Sequence, residues 1–401
     1  MKRLLVGLLL SVMACHQPPV LNFEEMEVPK SEGALFPSLF AAGNQVWLSY
    51  LYEPDTTSFL MLTHWQKDAW QEPEVVAQTE DNDWFVNWAD FPSVYRNEDQ
   101  LLTYMLTKSG AAAYAYDISL FYRNVDEQNW LGPIIPHRDS TQTEHGFVSL
   151  FPFQDSLTGM AWLDGRNYVE MQIKAEDGLI EPEMMLRFTT IDKNGHLGAD
   201  QLLDLRVCSC CQTDAAVIPG GVVLVYRDRS EAEVRDISYL RYTHGQWSEP
   251  MSLSAENWVI SGCPVNGPAV DAFGESVAAT WYTQANDIPE VWLSFSQDTA
   301  LTFSAPLRVD NGHPLGRLDL KMIDEDTAVV CWMEEWEEQA QLMVALMTPS
   351  GKIAEQKIAE YPSSRGGGFP RLAISGRRII WITWTALGDT TEVHVARTQL
   401  K

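Results

Sequence analysis

The amino-acid sequence predicts an all-β fold, a single β-propeller of seven blades, on three observations: one strand–turn–strand unit recurs seven times, its copies are spaced as propeller blades are, and no long amphipathic helix lies between them. The first copy runs from Phe36-Pro37-Ser38-Leu39 into Val46-Trp47-Leu48-Ser49-Tyr50, and the second from Phe91-Pro92-Ser93-Val94 into Leu101-Leu102-Thr103-Tyr104. The third joins Phe147-Val148-Ser149-Leu150 to Gly159-Met160-Ala161-Trp162, and the fourth joins Thr213-Asp214-Ala215-Ala216 to Val222-Val223-Leu224-Val225-Tyr226. Gly267-Pro268-Ala269-Val270 with Ala279-Thr280-Trp281-Tyr282 forms the fifth, and Arg317-Leu318-Asp319-Leu320 with Val329-Val330-Cys331-Trp332 the sixth. The seventh is Phe369-Pro370-Arg371-Leu372 with Ile380-Trp381-Ile382-Thr383-Trp384. Anchored on Pro37, Pro92, Val148, Asp214, Pro268, Leu318 and Pro370, successive copies lie 55, 56, 66, 54, 50 and 52 residues apart. That is the length of a four-stranded blade, about 40 to 50 residues plus loops. Alternating runs such as Ser58-Phe59-Leu60-Met61-Leu62 and Ala113-Tyr114-Ala115-Tyr116 supply third and fourth strands. The chain ends before the last blade is complete, so a strand within residues 22–30 is expected to finish it and close the ring.

The N-terminus sets the expected location. Lys2 and Arg3 precede an apolar run from Leu4 to Leu10, then Ser11-Val12-Met13-Ala14-Cys15. A bilayer-spanning helix needs about 20 apolar residues, so this run reads as a removable export signal. Val12-Met13-Ala14-Cys15 resembles a bacterial lipobox, which implies that Cys15 becomes a lipidated mature N-terminus. The expected organisation is a signal peptide at 1–14, a lipidated N-terminus with a short tether or ring-closing strand at 15–30, and the propeller at 31–401. His16 rather than Asp after Cys15 points to an outer-membrane address if the organism is Gram-negative.

Charge narrows the partners. The formal net charge of −27 becomes −29 once residues 1–14, with Lys2 and Arg3, are removed. Such a field repels nucleic acid and anionic lipid, leaving the lipid anchor as the expected membrane contact. An anionic ligand requires a local cluster of arginines.

Ser296-Gln297-Asp298-Thr299-Ala300-Leu301-Thr302-Phe303 resembles an Asp-box of bacterial neuraminidase repeats, with Ala300 in the glycine place. Further matches are Asn87-Trp88-Ala89-Asp90, Glu144-His145-Gly146-Phe147, Trp162-Leu163-Asp164-Gly165-Arg166, Cys208-Ser209-Cys210-Cys211-Gln212-Thr213, Tyr226-Arg227-Asp228-Arg229-Ser230, Arg235-Asp236-Ile237 and Gly262-Cys263-Pro264-Val265-Asn266-Gly267-Pro268. Over residues 80–335 the chain resembles exported sialidase-like propeller lipoproteins of the neuraminidase superfamily. The resemblance implies exo-α-sialidase chemistry: an arginine triad on a substrate carboxylate, a tyrosine nucleophile supported by glutamate, and an aspartate acid. The chain departs from it in having Leu35-Phe36-Pro37 in place of an early Arg-Ile-Pro. A six-bladed sialidase-type ring is the alternative to the seven counted.

Strand order sorts the polar residues, because residues before each inner strand and those in the loop from second to third strand share one rim. Asp90, Glu144, His145, Cys210, Cys211, Gln212, Cys263, Asn266, Arg317 and Arg365 fall in the first group; Asp164, Arg166, Arg227, Asp228, Arg229, Arg235 and Asp236 fall in the second. Both are expected at the mouth of the funnel, where propellers bind ligands. Arg166, Arg227, Arg229, Arg235 and Arg317 form the expected ligand set, since guanidiniums grip carboxylate, sulfate or phosphate bidentately. Pairing with neighbouring aspartates is the other arrangement open to them. Glycoside hydrolysis needs two carboxyl groups, or a tyrosine with a carboxylate, around a sugar ring. Asp90, Glu144, Asp164, Asp228 and Asp236 are the candidates.

In an oxidising compartment Cys208, Cys210, Cys211 and Cys263 admit three readings: a disulfide tying blades four and five, a soft-metal site such as copper or zinc completed by His145, or redox and nucleophilic use. Cys331, beside Trp332 on a second strand, reads as core. The leading functional reading is an envelope propeller that binds an anionic ligand, an acidic glycan among the candidates, with sialidase-like hydrolysis as its activity and no cofactor required. The alternative is a non-catalytic accessory or metal-handling lipoprotein, a docking platform for an envelope partner.

Overall fold

The computed structural model describes residues 20–168, 183–376 and 378–400; the export signal and Cys15 lie outside them. Seven antiparallel sheets follow one another around a ring, one per predicted repeat. Their inner strands are Ala34–Ala42, Val94–Asn97, His145–Pro152, Asp214–Ile218, Ala269–Phe273, Pro314–Asp324 and Arg371–Ser375. The count is seven, not six. In the seventh blade Arg371–Ser375, Ile379–Leu387 and Thr391–Gln399 are completed by Glu24–Met26, which pairs antiparallel with residues 395–397 and closes the ring. No helix among the described residues is long and apolar enough to cross a membrane.

Each second strand is sandwiched between neighbouring blades, which explains its continuous apolar character: all eight residues of Ser276–Thr283 are buried. Trp47, Tyr104, Trp162, Tyr226, Trp281, Trp332 and Trp381 occupy the second strands of blades one to seven, and each is at most 4% exposed. The buried indoles find acceptors: Trp162 Nε1–H donates to Asp164 Oδ2 at 2.8 Å and Trp332 Nε1–H to Glu334 Oε2 at 2.6 Å.

Inner strands are joined by side chains that accept the next blade's backbone N–H groups. Asp90 accepts from Phe147 at 2.9 Å, Asp214 from Val270 at 2.9 Å, Asp271 from Met322 at 2.7 Å and Asp319 from Leu372 at 2.7 Å. At the seam Thr385 Oγ1 accepts from Phe36 N–H at 2.9 Å. The strands enclose a central channel of about 770 Å³, in which Lys321 lies 3.8 Å from Asp319. Burial pushes Asp214 up to about 6, against the pull of Lys321.

Three inner strands share a bulge that the sequence pattern did not announce. Phe36, Phe147 and Arg317 have φ of 51°, 53° and 52°, and pairing with the second strand shifts register at each. Arg317 thus lies within its inner strand, where the sequence placed it just before. The segment Ser296–Phe303 closes as a turn around Asp298, which accepts from Ser296 Oγ at 2.7 Å and Thr302 Oγ1 at 2.7 Å.

Candidate functional site

The start of each inner strand lies against the end of its second strand; in blade three His145 pairs with Asp164. The loops before inner strands and after second strands therefore meet on one face. There a pocket of about 570 Å³ is lined by Trp88, Tyr114, Tyr116, Glu144, Tyr168, Arg365 and the Cys210–Cys263 disulfide, among others.

The acidic wall rests on Tyr116, at the start of blade two's third strand, Tyr116–Asn124. Its backbone N–H donates to Thr143 O at 3.1 Å, while Glu144 O accepts from Gly165 N–H at 2.7 Å, so both blades hold Glu144 in place. The Tyr116 hydroxyl stands 3.0 Å from Asp90 Oδ2 and 2.8 Å from Glu144 Oε1. A hydroxyl carries one proton, so both contacts are hydrogen bonds only if one carboxyl is itself protonated and donates to the phenol oxygen. Asp90 already accepts the Phe147 N–H, which favours its ionised form, and burial is the main force on both acids. It pushes Asp90 up to about 7 and Glu144 up to about 8, with the Tyr116 hydrogen bond opposing in each case. Glu144 thus holds the proton near neutral pH at the pocket wall. Gly146 makes the triad possible: a Cβ there would lie 1.9 Å from Asp90 Oδ2 and 2.9 Å from the Tyr116 ring.

Behind this wall, His137 and His145 stack with ring centroids 3.6 Å apart and planes within 1°. Asp117 flanks one edge, 3.6 Å from His137 Nε2 and 3.5 Å from His145 Nδ1. Asp139 flanks the other, 3.8 Å from His137 Nδ1 and 3.2 Å from His145 Nε2. Burial opposes charge on both rings, but the carboxylates of Asp117 and Asp139 outweigh it at His145, raising it to about 9. Burial and the neighbouring His145 charge lower His137 to about 4, so one ring of the stack is cationic and the other neutral. Asp117, His137 and His145, or Asp139, His145 and Asp164, bring donor atoms within 4.8 Å of one another. A cation would have to lie in the plane of each imidazole it binds, and parallel rings 3.6 Å apart share no such plane. The stack would have to open for both rings to share an ion.

The predicted arginines reach this side of the ring in different settings. Arg166 is held by Asp164 at 2.6 Å, Asp139 at 3.0 Å and Asp200 at 3.0 Å. Arg227 is 2% exposed and donates to the carbonyls of Asn266, Arg235 and Tyr282 while lying over Trp258. Glu233 pairs with Arg229 at 2.6 Å and Arg235 at 2.7 Å. Arg317 differs: it donates to Ser364 O at 2.8 Å and lies 4.9 Å from the Trp88 ring, with no carboxylate partner among the described residues. Arg365, exposed on the pocket wall, lies 5.6 Å from the same ring and also lacks a carboxylate partner among the described residues. Burial, and then repulsion from Arg365, holds Arg317 below the usual guanidinium range.

The remaining carboxylates are structural anchors. Asp164 is fully buried between Trp162 and Arg166. Asp228 accepts from Ser238 Oγ at 2.9 Å, and Asp236 from the N–H groups of Asn257 and Trp258 at 2.8 and 2.9 Å. His145 groups with aspartates, and Cys208, Cys210 and Cys211 group with one another. The disulfide joins Cys210 to Cys263, linking the approaches to blades four and five, while Cys208 and Cys211 are buried thiols.

Tyr116, Trp88, His137, Asp117 and Asp139 were not in the predicted site. Tyr116 and Asp117 sit in an alternating strand pattern that carries no functional mark. His137 and Asp139 did carry a signal, since they stand just ahead of Glu144 and His145 in the loop entering blade three.

No protein-family model matches the chain, and no curated protein matches it. Solved structures do. A Dyadobacter fermentans protein of unknown function shares 9% identity at TM-score 0.52 over 95% of this chain and 99% of that one. The NanB sialidase of Streptococcus pneumoniae shares 9% at TM-score 0.51, covering 94% and 95%. Polysaccharide lyase Uly1 shares 8% at TM-score 0.52, covering 96% and 93%. At these identities the likeness is one of fold alone: the chain is a seven-bladed β-propeller whose fold is similar to that of these proteins.

Proposed function

We propose that this chain is an envelope lipoprotein, anchored through Cys15, whose propeller binds an acidic glycan in the pocket bounded by Trp88, Glu144 and Arg365 and protonates it through Glu144. The observation that carries this reading is that Glu144, which keeps its proton near neutral pH, shares the pocket wall with Arg365, which has no carboxylate counter-ion among the described residues. A sugar carboxylate or sulfate would supply that counter-ion through charge-assisted hydrogen bonds. The exposed Tyr114 ring and the half-buried Tyr168 ring line the pocket and suit sugar rings, and Asn87 and Gln142 suit hydroxyls. Sialidase and polysaccharide lyase neighbours of the same fold are consistent with a glycan ligand.

Glycoside cleavage is the activity the acid would serve, with Glu144 donating to the leaving oxygen. A second reading, binding without turnover, is favoured by Tyr116: its hydroxyl is engaged by both carboxyls and the residue is 1% exposed, so it is not free to attack a sugar. A panel of sialylated, uronate-containing, sulfated and neutral oligosaccharides separates the two. Turnover of an acidic member, lost in Glu144→Gln, supports the enzyme; saturable binding without turnover supports the module; binding of none refutes both. Mass spectrometry of the native protein tests the anchor, since an unmodified Cys15 or a retained Met1 would contradict it.

A further inference from the structure

The sulfur cluster at the pocket wall has no part in the glycan reading. Cys210–Cys263 forms the outer pair: Cys263 is exposed, Cys210 half-buried, and both line the pocket. Cys208 and Cys211 form the inner pair, each 1% exposed, with their sulfurs 3.4 Å apart. They are the ends of a Cys-x-x-Cys segment, Cys208-Ser209-Cys210-Cys211, whose spacing suits reversible disulfide formation. The pairs touch: Cys208 Sγ lies 3.9 Å from Cys263 Sγ. Arg235 places Nη1 3.3 Å from Cys208 Sγ and 3.8 Å from Cys263 Sγ, spanning the two sulfurs.

We propose that these four cysteines form a thiol–disulfide exchange relay in which the buried Cys208/Cys211 dithiol passes two electrons to the exposed Cys210–Cys263 disulfide at the pocket mouth. The Cys208 thiolate attacks Cys263 Sγ; the Cys208–Cys263 bond forms, the Cys210–Cys263 bond breaks, and Cys210 leaves with the bonding pair. Cys211 gives up its proton, which ends on Cys210, and attacks Cys208 Sγ, expelling Cys263 as thiolate. The result is a Cys208–Cys211 disulfide and a reduced outer pair, with no outside oxidant. The outer pair, exposed to solvent, is then placed to reduce a disulfide carried by another molecule.

The surroundings support the assigned order. Burial resists ionisation of Cys208, but the hydrogen bond from Cys211 and the charges of Arg235 and Arg227 outweigh it and bring the thiol down to about 6. Burial and the adjoining Cys208 charge hold Cys211 well above the ordinary thiol range, so it suits the resolving role. Arg235 is kept in place by Glu233 at 2.7 Å.

The test is disulfide mapping of the full-length chain equilibrated in glutathione buffers, quenched in acid, alkylated and digested. At intermediate poise the one-disulfide protein is expected to divide between Cys210–Cys263 and Cys208–Cys211, and Cys211→Ala to accumulate Cys208–Cys263. Cys208→Ser serves as the folding control because it keeps the outer disulfide; in it only Cys210–Cys263 should form, with Cys211 remaining a thiol. The relay is overturned if one-disulfide wild type maps to Cys210–Cys263 alone at every poise and Cys211→Ala leaves Cys208 free. It is equally overturned if the fully reduced protein takes up one equivalent of zinc and shows no exchange, which would assign the sulfurs to a metal site.

Discussion

Replacing Tyr116 by Phe deletes one oxygen and leaves the ring, so its effect isolates the hydroxyl bridge between Asp90 and Glu144. At pH 5 both carboxyls are largely protonated, and the loss is that of two neutral hydrogen bonds, about 1–2 kcal/mol together. At pH 9 both are ionised in the fold, the phenol can donate to only one of them, and the lost bond is to a charged group, about 1.5–3 kcal/mol. The sign follows from linkage. Asp90 and Glu144 titrate near 7 and 8 in the fold, above their unfolded values, so the stability they confer is full at low pH and lost as pH rises through that range. The Tyr116 bond pulls both values down; without it they climb further, and the deficit of the variant grows with pH. A growth of about 1 kcal/mol between pH 5 and 9 corresponds to about 0.7 pKa units of combined shift. Urea unfolding followed by far-ultraviolet circular dichroism at pH 5, 7 and 9 measures it. The difference between variant and wild type is the proper readout, because general repulsion in a chain of net charge −27 is common to both. A deficit independent of pH would refute the shared-proton account.

Gly146→Ala should displace Asp90 from its bond to Phe147 N–H and cost about 1–3 kcal/mol through overpacking, with a matching fall in the urea midpoint; full wild-type stability would contradict the close approach. Lys321→Met removes the cation among Asp214, Asp271 and Asp319 and, in a channel open to water, should cost about 1–3 kcal/mol. The loss of the ammonium raises the folded pKa of Asp214 and Asp271, so this deficit should be larger at pH 8 than at pH 5; equal deficits would remove Lys321 from this role. Trp332→Ala should cost about 3–5 kcal/mol, since the indole is fully buried and its N–H holds Glu334; a loss under 1 kcal/mol would mean that the second-strand aromatics do not form the core.

The architecture was legible because it rests on local, repeated signals. A large aromatic in a largely apolar run on every second strand marks a strand buried on both faces, and the incomplete last repeat called for a strand within residues 22–30. The left-handed bulges at Phe36, Phe147 and Arg317 left no mark, since neither Phe nor Arg favours positive φ and only the ring context enforces it. Strand order assigns rim residues to one face, but it could not say which partner each charge would find. Arg227 and Arg166 carry the same group, yet one is spent on three backbone carbonyls and the other on three carboxylates. Arg365 and Tyr116 acquire their meaning from neighbours distant in the chain. Likewise four cysteines in two motifs restrict the disulfide to a small set, and only the approach of the two loops selects Cys210 with Cys263.

On the proposed reading the pocket takes an acidic sugar whose charge answers Arg365. The decisive measurement is isothermal titration of wild type and Arg365→Ala with a sialylated or uronate-terminated oligosaccharide and with its neutral counterpart. One saturable site for the acidic ligand is expected, weakened by about 1.5–3 kcal/mol in the variant, roughly 10- to 150-fold, with the neutral ligand bound weakly and equally by both proteins. Equal affinity of both proteins for the acidic ligand, or no binding of it by wild type, would contradict the claim.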